Sequence, residues 1–276
     1  MSTKYSTGVC RTALSVSKLP GLRYSLNPYV GCEHGCRYCY VPDILGGEKL
    51  AFKWGSTVKA KKNIAEVLAR EVMKKPKGIV GVSTICDPYQ PIEAKLMLTR
   101  RCIEILAQHD FPVSIQTKSK LVLRDADMIV PEKFDVGVTI STMDLKLVSR
   151  LEPGASLPDE RVQVLEEFSS RGVETWLFLG PIIPGINDSE ESMTQVIDVA
   201  ARTRSKIIYD RLNPKRWVMD RLAPVLTKER PDLAERLSDF MRDGSVWRQI
   251  CLRVESICRE LGIKCEAAFP NWPNTR

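Results

Sequence analysis

Apolar residues along this chain fall into short strand-like runs separated by helical stripes, and the alternation repeats six times. Leu22-Arg23-Tyr24-Ser25-Leu26 alternates and predicts a first strand. Trp54 to Lys75 carries Ile64, Val67, Leu68 and Val72 at helical spacing, and Pro76 stops it. The unbroken apolar run from Gly78 to Thr84 predicts a strand buried on both faces. Pro91 opens a helix to Gln108, with Leu96, Ile103 and Leu106 on one face. Strands follow over 112–117, 134–141, 173–180 and 206–210, with helices over 124–129, 144–151 and 158–171. Asp188 with Glu191 three residues on reads as a capping box for a helix to Arg202. The remainder is mostly helical before a short strand over 264–269.

Six β/α units in series predict an α/β fold with a parallel sheet. They are too few for a closed eight-strand barrel and enough for a curved three-quarter barrel, whose active groups gather at the C-terminal strand ends. Residues 1–21 read as a polar, irregular arm over the barrel, 22–212 as the barrel, and 213–276 as a helical extension packed on the same domain.

Composition adds little to the fold and something to the setting. With 43% hydrophobic and 27% charged residues the chain is ordinary for a globular protein. No run approaches the roughly 20 apolar residues of a membrane span, and the N-terminus has no apolar signal region. Nine cysteines, three of them clustered, suit a reducing cytoplasm better than a disulfide framework. The net charge of +7 is uneven: residues 1–77 hold 14 Lys and Arg against 5 Asp and Glu. That bias suits a polyanionic partner such as nucleic acid, and equally solvated helix faces. A second basic stretch, Arg202 to Arg221, contains Trp217, which fits either nucleic-acid contact or the core.

The chemistry is concentrated in Asn27-Pro28-Tyr29-Val30-Gly31-Cys32-Glu33-His34-Gly35-Cys36-Arg37-Tyr38-Cys39-Tyr40. Three cysteines within eight residues leave one over in any disulfide pairing, so the stretch reads as a loop around a metal centre. Zinc needs a fourth ligand, which His34 would supply by pointing inward. An iron–sulfur cubane held by three thiolates instead leaves one iron open.

The Cys-x3-Cys-x2-Cys spacing, with aromatic Tyr38 before the third cysteine, resembles the radical S-adenosylmethionine (SAM) superfamily. Together with Asp87-Pro88-Tyr89-Gln90-Pro91-Ile92-Glu93 it resembles the DNA-repair-photolyase-like, spore photoproduct lyase-like branch. Gln116-Thr117-Lys118, Thr139-Ile140-Ser141 and Leu151-Glu152-Pro153-Gly154 extend the likeness. The resemblance implies a partial (β/α)6 radical SAM barrel with a [4Fe-4S] cluster on Cys32, Cys36 and Cys39. It also implies SAM on the open iron, Tyr40 near the adenine, Lys118 at the SAM carboxylate and Ser141 near the ribose, with Tyr38 beside the cofactor. A 5′-deoxyadenosyl radical would then abstract hydrogen from a substrate, a nucleic-acid lesion in the lyase-like case. The electron would come from a ferredoxin- or flavodoxin-type reductant.

In that branch a cysteine after the second strand returns a hydrogen atom to the product radical. Thr84 stands at the matching position, and Cys86, two residues on, is the candidate donor here; in an extended segment that offset moves a side chain by ~7 Å on the same face. Arg161 reads as a helix-surface residue, although Glu152 is within reach as a partner. Cys251, Cys258 and Cys265 recur every seven residues and read as core rather than as a second cluster. Competing functions are radical modification of RNA, a peptide or a small metabolite, and a zinc-stabilised nucleic-acid-binding module without chemistry.

Overall fold

The computed structural model describes residues 3–234 and 236–269. Its strands are β1 (Lys4–Gly8), β2 (Leu14–Val16), β3 (Tyr24–Leu26), β4 (Tyr29–Val30), β5 (Thr57–Lys61), β6 (Val80–Val82), β7 (Val113–Thr117), β8 (Phe134–Thr139), β9 (Glu174–Ile182), β10 (Lys206–Arg211) and β11 (Cys265–Ala267). β3, β6, β7, β8, β9 and β10 lie side by side in that order, and each neighbouring pair is parallel. Each crossover therefore advances one strand along the sheet, as the six predicted units require. β6 is buried throughout and β8 nearly so, because both faces are covered.

β11 adds parallel to β10 at one edge, and β2 pairs antiparallel with β3 at the other, giving eight strands. The arm is thus partly ordered as sheet: β2 covers the β3 edge that would otherwise be unpaired. β1 joins a separate three-stranded sheet with β5 and β4.

The predicted helix beginning at Trp54 is corrected by that small sheet. Only Ile64–Val72 is helical, and the preceding Thr57–Lys61 is β5, with Val58 and Ala60 turned inward and lysines outward. A five-residue alternation is easily absorbed into a neighbouring helical stripe. β5 matters to the site because β4, its antiparallel neighbour, ends two residues before Cys32.

Three further elements differ. The helix from Pro91 breaks at Met97, which adopts a left-handed φ of 49° between helices Glu93–Leu96 and Leu98–Gln108. Ser189 rather than Asp188 caps Glu190–Thr203, accepting from the Ser192 amide, while Asp188 accepts from the Gly185 amide at 2.7 Å. The predicted helix over 124–129 is a 3-10 turn over Lys120–Asp125. The C-terminal helix Gly244–Glu260 is tied back to the barrel: Tyr209 donates to Glu255 at 3.0 Å, and Arg253 donates to the Asp188 carbonyl at 2.7 Å. Residues 270–276 of the predicted extension lie outside the described residues. Among the described residues no helix is long and apolar enough to cross a membrane.

Candidate active site

The cysteine loop follows β4, and its shape depends on glycine. Gly31 and Gly35 hold positive φ (91° and 59°), and a Cβ on Gly31 would lie 2.2 Å from the Thr57 carbonyl. The second contact is on the far side: a Cβ on Gly154 would lie 2.4 Å from the Glu33 carbonyl. The turn Leu151–Gly154 grips the loop through two backbone bonds, from Arg37 to the Leu151 carbonyl at 2.8 Å and from Gly154 to the His34 carbonyl at 3.0 Å.

The second motif is the scaffold for the first. Gln90 accepts from the Glu33 amide at 3.0 Å and donates to the Gly31 carbonyl at 3.3 Å, while Glu33 accepts from the Ile92 amide at 2.7 Å. Buried Asp87 accepts from Tyr89, Thr117 and the Lys118 amide at 2.7–2.9 Å and faces His34 at 3.3 Å. Burial alone would raise the Asp87 pKa, but His34, Lys118 and Thr117 outweigh it and hold it near about 2. Glu93, fully buried, accepts from the Tyr29 hydroxyl and pairs with Arg124 at 3.0 Å. Asp87, Gln90 and Glu93 therefore lock the loop to the ends of β6 and β7.

Cys32 and Cys36 are buried and Cys39 is half-buried. Burial pushes all three thiols up, Cys36 to about 12; Asp87 and the other thiols add to it at Cys32, while Lys118 opposes it at Cys36 and Cys39. Among the described residues no three His, Cys, Asp or Glu side chains are grouped as around a single metal ion. His34, the fourth ligand of the zinc alternative, is turned to Asp87. Three soft thiols presented by one short loop are the donor set an iron–sulfur cluster takes.

Around them stands a network that the residue pattern only hinted at. Glu152 accepts from the Tyr38 hydroxyl and, at 2.9 Å, from the Ser141 hydroxyl, and its other oxygen pairs with Arg161. Arg161 is fully buried, donating also to the Thr139 and Ser156 carbonyls at 2.9 and 2.8 Å, so its surface reading is overturned. A buried arginine needs several acceptors at once, and the strand ends supply them. The Glu152 carboxyl, which burial would raise, is brought below its ordinary range by Arg161 and Lys118.

Lys118, at the end of β7, reaches into the same space, its Nζ 5.8 Å from the centre of the Tyr38 ring. Burial pulls its pKa down, but Cys36, Glu152 and Asp87 more than restore it. Ser141 is buried at the end of β8, with its hydroxyl on Glu152 and its carbonyl on Asn187 at 2.7 Å. Tyr40 packs with Cys32 and Trp54, and its hydroxyl donates to the Thr84 carbonyl at 3.4 Å.

Cys86 packs against that same Cys32–Trp54 patch, with its thiol 3.5 Å from the Ser83 hydroxyl. β6 ends at Val82 and the chain bends over 84–86, so the extended-strand estimate of the offset does not apply. Thr84 is instead held by Asn27, at 2.9 Å to its amide and 3.3 Å to its hydroxyl. One residue escaped notice in the residue pattern: Asp210, at the end of β10, whose carboxylate acts on Tyr40 and whose pKa burial raises to about 6. A carboxylate at a strand end was the available signal.

A parallel sheet of six sequential strands with a cysteine loop at one mouth defines a radical SAM barrel. The chain belongs to that superfamily, whose sequence model matches residues 26–197; its members use a [4Fe-4S] cluster and SAM. Among relatives, an uncharacterized protein of Methanocaldococcus jannaschii is 34% identical over 180 residues, covering 64% of this chain and 67% of its own. A radical SAM Nalpha-GlyT isomerase of Pseudomonas phage M6 is 22% identical over 162 residues, 58% of this chain and 33% of that one. Spore photoproduct lyase with bound AdoMet and dinucleoside spore photoproduct has the same fold, with a TM-score of 0.73 at 15% identity, over 96% of this chain and 81% of that one.

Proposed function

We propose that Cys32, Cys36 and Cys39 hold the cluster and that the chain acts as a lyase-like radical SAM enzyme on a nucleic-acid lesion. When bound, the cluster and SAM supply a 5′-deoxyadenosyl radical that abstracts hydrogen from a substrate carbon. The observation that carries the reading is the convergence of Lys118, Tyr38 and the Glu152–Arg161 pair on the cysteine loop.

The chain's residues then divide the work. Lys118 neutralises the SAM carboxylate, as a charged partner at that distance from the loop can. Glu152 fixes Tyr38 and Ser141 in place, and Arg161 keeps Glu152 ionised. Ser141 thus borders the ribose with its hydroxyl already oriented, and Tyr40 flanks the adenine. Cys86, packed against the patch of Cys32 and Trp54, gives its thiol hydrogen atom to the product radical, and the thiyl radical left on its sulfur takes a hydrogen atom back from 5′-deoxyadenosine. A Cys86→Ala enzyme should still cleave SAM but give altered products; unchanged turnover and product distribution would remove Cys86 from the scheme.

The nucleic-acid assignment is supported by the basic first quarter of the chain and by a surface aromatic site. The Arg216 guanidinium stacks 4.4 Å from the Trp217 ring, and Phe52 lies 6.0 Å from that ring and is 78% exposed. Bases stack on such platforms. We place the reaction in the cytoplasm, in one domain made of the arm 1–21, the barrel 22–212 and the extension 213–276. UV-irradiated DNA carrying spore-type dimers tests the substrate: restored thymines with consumption of the lesion are expected, and an untouched lesion beside active SAM cleavage refutes the lyase assignment. The isomerase relative favours a second reading, radical rearrangement of a modified substrate, which that second result would promote.

A further inference from the structure

A groove of about 410 Å³ opens on the outside of the cysteine loop, between that loop and helices Leu145–Leu151 and Arg216–Glu229. Four cationic side chains line it (Arg37, Arg150, Arg221 and Lys228) against one carboxylate, Asp220. Arg150 is paired with Glu229, which leaves Arg37, Arg221 and Lys228 to set the sign of the field. Arg37 is exposed although its neighbours Cys36 and Tyr38 are buried, so the loop turns one cation outward while its cysteine and tyrosine face inward.

Arg221 makes the groove part of the loop. Its Nη2 donates to the Cys39 carbonyl, while Nε and Nη1 are buried without a hydrogen-bond partner among the described residues. Those two donors are buried and face away from solvent, so Arg221 ties the cationic wall of the groove to the loop backbone, and the field at the rim is set by the exposed cations. Lys118, Tyr38 and Glu152 do not line the groove, which is separated from Tyr38 by the apolar cluster that Val225 shares with it.

We propose that this groove is the docking site of a small acidic one-electron carrier protein of the flavodoxin or ferredoxin type. This rests on the radical SAM reading, which requires such a donor. One electron leaves the carrier and arrives at the cluster; no bond is made and no proton crosses the contact. Arg37 of the loop lines the groove and Arg221 joins its wall to the Cys39 carbonyl, so a carrier seated there approaches the cysteine loop while SAM and substrate keep the barrel mouth. Three cations spread over two elements, the loop (Arg37) and one helix (Arg221 and Lys228), around an open rim suit a protein surface better than a single small anion. Redox encounters of this kind are small, below about 1,200 Å², and are steered by complementary charge.

The test is calorimetric titration of oxidised flavodoxin into the reconstituted protein at low and high salt. Lys228→Glu and, separately, Arg37→Glu should each raise Kd roughly fivefold or more and flatten its salt dependence. In the Lys228→Glu protein, flavodoxin-driven release of 5′-deoxyadenosine should slow while dithionite-driven release keeps the wild-type rate. Wild-type Kd in both variants overturns the proposal, as does an equal loss with both reductants. So does loss of inorganic phosphate binding in Lys228→Glu with flavodoxin binding intact, which would make the groove a small-anion site. Wild-type protein that binds flavodoxin with this charge dependence yet cleaves no SAM under dithionite would instead refute the radical reading and leave the surface standing.

Discussion

Cysteines occur in two settings in this molecule, and the contrast between them separates chemistry from packing. Cys32, Cys36 and Cys39 sit on a loop that needs glycine at 31 and 35, clamped by the Leu151–Gly154 turn and by Gln90. Charged side chains surround them: Lys118, Asp87, and Glu152 with Arg161. Cys251 and Cys258 lie on helix Gly244–Glu260, and Cys265 on β11, where they pack against the main apolar core beside Val254 and Ile257. The loop cysteines are four and then three residues apart, the others seven and seven. Those of the loop pack in small apolar clusters of their own and are in addition surrounded by buried charged and polar groups, whereas Cys251, Cys258 and Cys265 only fill space between a helix and a sheet edge. The setting, more than the spacing, distinguishes the two.

Deleting one cysteine from each region should separate the two settings most strongly. Cys36→Ala should abolish the brown absorbance near ~400 nm of anaerobically reconstituted protein, while Cys258→Ala should retain it. The Cys258→Ala protein should lose only about 1–2 kcal/mol in denaturant titration, the cost of a small core truncation. Loss of colour in Cys258→Ala would revive an auxiliary cluster.

Next in size is the polar support of the loop. Glu152→Gln or Arg161→Met leaves one buried charge without its partner and should cost about 3–5 kcal/mol of unfolding free energy. The double replacement should cost less than the sum of the two, as coupled neighbours do. Additive losses would mean that the pair does not act as a unit.

Much of this was legible in the chain itself, for identifiable reasons. Strands β6 to β10 are apolar runs between helical stripes, and their period is visible without tertiary information. The cysteine loop was legible because its residue types are rare and close together. β5 was not, since five alternating residues were absorbed into the helix that follows, and the break at Met97 carries no glycine or proline to announce it. Arg161 was misjudged because a charge on a helix usually faces water. Only the assembled strand ends bring Glu152 and the Thr139 and Ser156 carbonyls to it.

Two smaller effects sharpen the site. Lys118→Met should leave iron content unchanged and weaken SAM binding roughly tenfold in equilibrium dialysis, the loss of one charged contact to a carboxylate. Asp210 gives a pH signature. Its folded pKa, raised by burial to about 6, exceeds the unfolded value, so the folded state holds the proton longer. Stability attached to this group is present below about pH 4 and is lost as pH rises towards 6. Asp210→Asn, which mimics the protonated form, should therefore be about 3 kcal/mol more stable than the parent at pH 8 and nearly equal to it near pH 4, as followed by thermal melts. A stability gain independent of pH would remove the carboxylate from this explanation.

The central claim is that the loop thiols hold a cluster with one iron left open for SAM. Dithionite-dependent release of 5′-deoxyadenosine by the reconstituted protein tests it most directly. The wild type, loaded with about four irons per chain, should release it, and Cys36→Ala should release none. A protein carrying those four irons that leaves SAM intact, with extracts and UV-irradiated DNA supplied as substrates, would contradict it.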